Sequence, residues 1–123
     1  MRVWLFLGAL NGMLAVLAGA YGWHSLEGDE ASRQIFMLGV DYQMWHALAL
    51  IGVAWLAERH PGTKLITAAG VLFTAGIVCF SGTLYAFGIT TEIPVPYAAP
   101  VGGYLLVGGW ACILLWVLFN RRQ

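Results

Sequence analysis

Charge is what this sequence has least of. Asp, Glu, Lys and Arg make up 10% of its 123 residues and hydrophobic residues 60%, whereas a water-soluble domain carries about 25% charged residues. That scarcity argues against a soluble globular domain. Six basic residues balance six acidic ones, and they form no block able to grip phosphates, so no nucleic-acid partner is expected. Cysteine is equally sparse. Cys79 and Cys112 lie in separate apolar tracts without CxxC spacing, which speaks against a zinc site or redox dithiol and for two inert packing residues. Ser81 stands between Phe80 and Gly82 without a GxSxG turn, and a hydroxyl in an apolar helix bonds a backbone carbonyl more readily than it attacks a substrate. No catalytic residue is expected, and the chain reads as non-enzymatic.

What the sequence has in abundance is uninterrupted apolar length. Val3 to Leu26, Tyr42 to Ala57, Leu65 to Thr91 and Ile93 to Asn120 contain no Asp, Glu, Lys or Arg. A hydrocarbon core about 30 Å thick needs about 20 apolar residues per helix, so the chain predicts one all-α membrane domain over 1–123, a bundle of four spans at about 3–24, 42–58, 65–89 and 100–120. The first run also has signal-peptide features, with Arg2 followed by Ala18-Gly19-Ala20; it is read as the first span. The second is shortest, about 24 Å if wholly helical, and is expected to borrow a turn from the segment before it. Arg2, Arg59, Lys64, Arg121 and Arg122 fall on one side and Arg33 alone on the other, which sets an N-in, C-in topology.

The two remaining connections differ in kind. In "GDEASRQIFMLGVD", Asp29 is placed to cap a helix with Glu30 in its first turn, and Ile35, Leu38 and Tyr42 recur at helical spacing; a short amphipathic helix lying in the interface between spans one and two is expected. In "TTEIPVPYAAP", three prolines predict an extended cap before a fourth helix near Val101. Small residues are positioned for close helix contact: Gly8, Gly12, Gly19 and Gly22 on the first span, Gly82 on the third, and Pro100, Gly102 and Gly103 at the start of the fourth.

On this topology the polar side chains gather in the outer half. His24 ends the first span, Gln43 and His46 lie within about 6 Å of the same boundary, and Ser81 and Tyr85 share a face one turn apart. Together with Tyr42 they form the expected binding or structural cluster: His24, Tyr42, Gln43, His46, Ser81 and Tyr85. Asn11, Thr67 and Thr74 are left in the inner half. Polar groups in a span face the bundle interior because hydrocarbon offers them no partner. An interhelical hydrogen-bond network is the leading interpretation of the cluster. No metal or cofactor is expected; His24 and His46 are the candidate ligands for the less favoured haem or copper reading, copper with Met37 or Met44. A proton relay through His46, Tyr42 and Glu92 lacks an acidic residue inside a span.

Four stretches, "GAYGWHSL" at 19–26, "YQMWHALAL" at 42–50, "FSGTLYAF" at 80–87 and "PVGGYLLVGGW" at 100–110, together resemble the signatures of the YgdD and transmembrane-protein-256-like family, domain of unknown function 423. The resemblance runs through nearly the whole chain and rests on Gly19, Gly22, His24 and Leu26, on Tyr42, Gln43 and His46, on Ser81, Gly82 and Tyr85, and on Pro100, Gly102, Gly103 and Trp110. It implies a small multi-pass protein of the bacterial inner membrane, in preference to the mitochondrial inner membrane, with no established activity. Trp23 and Ala99 depart from the pattern, which commonly has a small residue and a threonine there. The expected role is an accessory or scaffold subunit of a larger membrane complex, with a respiratory or redox assembly as one possible host, and with lipids, other integral membrane proteins or further copies of itself as partners. The alternative is a binder or transporter of a small molecule or lipid through the outer polar pocket; a bound lipid is compatible with either.

Overall fold

Where each helix starts and stops follows from a few local choices. The computed structural model describes residues 2–26 and 29–120, so Arg121 and Arg122, used above for topology, lie outside the described residues. It contains α1 (Arg2–Ser25), α2 (Glu30–Arg59), α3 (Lys64–Thr90) and α4 (Ala98–Phe119), each long and apolar enough to cross a membrane. Asp29 caps α2 by accepting the Ser32 amide at 3.3 Å, and Glu30 occupies the favoured acidic position of the first turn. At its other end the His60 amide closes on the Leu56 carbonyl at 2.8 Å, and Gly62, at φ 81°, turns the chain. The Thr63 hydroxyl then donates back to the His60 carbonyl at 2.8 Å, just before α3 begins.

Two expectations about connections need correcting. The amphipathic segment is helical, but it is the first three turns of α2 and not a separate interfacial helix. Its buried side is Ser32, Phe36, Gly39 and Val40, while Leu38 is exposed. Packing against α1 and α3 holds it upright, and the resulting 30-residue helix is about 45 Å long, exceeding the hydrocarbon core. The second correction concerns Pro100. It lies inside the first turn of α4, where a missing N–H breaks no hydrogen bond, so the irregular cap ends at Tyr97.

Sequence neighbours are spatial neighbours and run antiparallel. Along α1, Gly8 meets Ile51, Gly19 meets Val40 and Gly22 meets Phe36; along α4, Gly102 meets Phe80, Leu106 meets Gly76 and Gly109 meets Phe73. The central pair is α2 and α3, with 39% of the most apolar window of each buried against 17% for α1 and α4. Leu50 and Val53 of α2, Ile66, Phe73 and Ile77 of α3 and Leu106 of α4 form the dry core. Phe6, Leu17, Val78, Val107 and Leu114 point outward, a surface suited to lipid and not to water.

The close contacts select among the glycines expected to pack. The Phe36 ring and β-carbon fill the space over Gly22 of α1 and Gly88 of α3, where added β-carbons would come within 2.5 and 2.8 Å of it. Gly12 makes only an ordinary contact at 3.9 Å, and nothing lies within 4 Å of a β-carbon placed on Gly82 or Gly103; these last two face grooves and not helix neighbours. Gly39, Gly70, Gly76 and Gly109 do mediate close approach, although their spacing gave no sign of it. Gly102 is the least forgiving position, since a β-carbon there meets the Cys79 and Phe80 backbone, 2.9 Å from the Cys79 carbonyl carbon. Gly102→Ala should therefore destabilise the bundle by about 1–3 kcal/mol, while Gly103→Ala, one residue on, should be neutral or stabilising by about 0.5–1 kcal/mol. Reversible unfolding in mixed micelles measures both, and equal stabilities would contradict the packing.

Candidate functional site

Successive residues of a helix point about 100° apart, so Tyr42 and Gln43 on α2 serve different neighbours. Gln43, 6% exposed, faces α1 and α3. Its Nε2 donates to Asn11 Oδ1 at 2.9 Å, and its Oε1 accepts the Tyr85 hydroxyl at 2.5 Å. Asn11 Nδ2 in turn donates to the Leu7 carbonyl at 2.8 Å. Three helices are thereby joined through one side chain. Beside this run, Ser81 Oγ donates to the Gly39 carbonyl at 2.7 Å, a second tie from α3 to α2. Asn11, Gln43, Ser81 and Tyr85 form the polar floor of a groove of about 580 Å³ between α1 and α3, walled by Leu14, Leu17, Ile77 and Val78.

His46 faces the other way. Trp110 Nε1 donates to its Nε2 at 3.0 Å, and because an indole N–H can only donate, Nε2 is the accepting nitrogen. The ring is therefore the neutral tautomer with its hydrogen on Nδ1, which donates to the Tyr42 carbonyl at 2.7 Å. Phe73 and Tyr42 hold the ring from the sides, with centroids 5.5 and 6.0 Å away. This cluster adjoins a second groove of about 550 Å³, between α2 and α4, lined by Tyr42, Trp45, Phe80, Tyr104 and Trp110.

The expected single cluster is thus two. Gln43, Ser81 and Tyr85 come together on one side of α2, and Tyr42 and His46 on the other. His24 joins neither: it is exposed in the last turn of α1. The two histidines do not share a level, because α2 begins at Glu30 and His46 stands about 24 Å along it. Both ring nitrogens of His46 are engaged, and among the described residues no three His, Cys, Asp or Glu side chains converge. The residues that complete the clusters are Asn11, placed apart from the cluster in the inner half by sequence, and Trp110. Asn11 carried a signal, as an amide in an otherwise apolar helix; its partner emerges only from the fold.

A family described as "Protein of unknown function (DUF423)" matches residues 18–103. The UPF0382 membrane protein YwdK of Bacillus subtilis is 42% identical over 117 residues, covering 94% of this chain and 95% of the relative. A UPF0382 membrane protein of Staphylococcus epidermidis is 37% identical over 119 residues, 94% of each chain. The UPF0382 inner membrane protein YgdD of Escherichia coli is 29% identical over 124 aligned positions, covering 99% of this chain and 94% of its own. No solved structure matches the chain significantly.

Two measurements check the clusters. In ¹⁵N spectra of the labelled protein, His46 should show a protonated Nδ1 and an unprotonated Nε2, and Trp110→Phe should shift the Nε2 resonance by removing its donor while the Tyr42 carbonyl keeps the hydrogen on Nδ1. A double-mutant cycle of Tyr85→Phe with Asn11→Leu should give a coupling of about 0.6–2 kcal/mol, the range of interhelical hydrogen bonds in membranes, because both act through Gln43. Strict additivity would deny the shared run.

Proposed function

We propose a role for this chain from one premise: it belongs to the DUF423 family, as a multi-pass protein of the bacterial inner membrane like its relative YgdD. Its role in this reading is that of a non-catalytic accessory or scaffold subunit, held in a larger membrane assembly by the outward faces of α1 and α4. The Arg2 end of the bundle lies on the cytoplasmic side, following the excess of basic residues there.

The observation that supports a scaffold is the use to which the cluster is put. Gln43, Asn11, Tyr85, Ser81, His46 and Trp110 all bond other helices or helix carbonyls. Their hydrogen bonds fasten the bundle, and none of the six is poised as a nucleophile beside a base. What the protein presents to its surroundings is lateral: α1 exposes Phe6, Met13, Val16 and Leu17, and α4 exposes Val107, Leu114, Val117 and Leu118. With connections only a few residues long, most of the surface open to another membrane protein lies within the bilayer, where van der Waals packing drives association.

Gentle extraction from native membranes through a tag, followed by native mass measurement, tests this. A stoichiometric larger complex is expected, and Val16→Trp or Leu114→Trp on the exposed faces should dissociate it while leaving the unfolding of the isolated chain unchanged. A lone monomer in every extraction, insensitive to both substitutions, would overturn the proposal.

A further inference from the structure

The hydrogen bonds at the floor of the α1/α3 groove leave part of their donors unengaged. A primary amide carries two hydrogens on its nitrogen. Among the described residues, Gln43 Nε2 has one acceptor, Asn11 Oδ1, and Asn11 Nδ2 has one, the Leu7 carbonyl. Each nitrogen keeps a second N–H, and both residues line the groove. Both side chains are at least nine-tenths buried. In hydrocarbon, an N–H without an acceptor costs several kcal/mol, so the floor calls for a molecule that brings acceptors.

Three features narrow its chemistry. The walls Leu14, Leu17, Ala18, Ile77 and Val78 are aliphatic, and Gly82 leaves open space beside Tyr85, so the occupant has an apolar tail and a compact head. The floor carries no charged group, which disfavours an ionic headgroup. Depth separates the remaining sources. With the Arg2, Arg59 and Lys64 ends taken as one boundary of a core about 30 Å thick, Asn11 lies about 14 Å in and Gln43 about 24 Å, while Tyr85, at about 32 Å, reaches the far boundary. The ladder descends from that boundary to mid-membrane. Glycerolipid ester carbonyls remain at the boundary, whereas the neutral carbonyl ring of a quinone can sink below it.

We propose that the groove between α1 and α3 is a binding site for an oxidised quinone borne on an apolar tail, its carbonyl oxygens accepting the second N–H of Gln43 and of Asn11. The ring lies against the Gln43 and Asn11 amides below the boundary, and the tail follows Leu14, Leu17 and Val78 past the open space over Gly82. A groove of about 580 Å³ falls within the usual range for small-molecule sites, about 300–1,000 Å³. The site needs no partner protein and stands independently of the scaffold reading.

The test uses the purified full chain in phospholipid nanodiscs with menaquinone-4 as probe. Two quantities are read: quinone retained per chain after exchange into quinone-free discs, and the position of the quinone carbonyl band in the infrared. Stoichiometric retention with the band displaced to lower wavenumber is expected for the native sequence. Gly82→Leu extends into the open space, where nothing lies within 4 Å of its β-carbon, and Val78→Trp closes the groove from an exposed position; each should cut retention about tenfold or more, equivalent to at least about 1.4 kcal/mol. Gly103→Leu, in the opposite groove, should retain the quinone. Gln43→Leu should reduce the band displacement, and Gln43→Leu combined with Asn11→Leu should abolish it. Thermal unfolding of each variant verifies the fold. Equal retention by the native chain, Gly82→Leu and Val78→Trp would overturn the proposal, as would an undisplaced carbonyl band or phospholipid held in the groove in place of quinone.

Discussion

A buried amide in a medium without water has to find its partner in the protein, and the bundle is organised around how Gln43 meets that requirement. It accepts from α3 and donates to α1 while standing on α2, so a single side chain fixes the mutual rotation of three helices. Apolar packing alone would specify this weakly, since lipid tails compete with leucine on equal terms. The fourth helix is registered by the same device with different groups: an indole donor, an imidazole that both accepts and donates, and a helix carbonyl.

These hydrogen bonds depend on backbone proximity, which glycine supplies. Phe36 can wedge between α1 and α3 because Gly22 and Gly88 present no side chain, and α4 lies against the Cys79–Phe80 backbone because Gly102 does the same. Polar ties and close approaches therefore belong to one design. At the far end of the bundle the hold is of another kind: Arg33 stacks over the Trp23 ring at 3.9 Å and donates to the Trp23 carbonyl at 2.6 Å, tying the end of α1 to the start of α2.

The sequence made the helices legible because four charge-free runs leave hydrocarbon-spanning helices as the economical solution. It also marked Gln43, His46, Ser81 and Tyr85, since amides, imidazoles and hydroxyls stand out in apolar tracts. It misled at Asp41, where a charge suggested that the second span starts just beyond it; the carboxylate is exposed on a helix that passes straight through. That error moved His24 to the level of His46. Whether neighbouring polar residues face one another or opposite sides, as with Tyr42 and Gln43, depends on helix rotation, and which glycines meet a neighbour depends on crossing geometry. Neither is encoded in spacing along one chain.

Each helix makes its main contacts with the helix before it and the helix after it. For a polypeptide emerging from a ribosome into a membrane, this means that every new segment arrives beside a partner that is already in place. The Asn11 amide can be matched as soon as α2 enters, Gln43 is completed by α3, and His46 waits only for Trp110. The order of synthesis is thus also an order in which exposed polar groups are quenched one after another, and the longest wait is that of His46 on α2, whose partner arrives with α4.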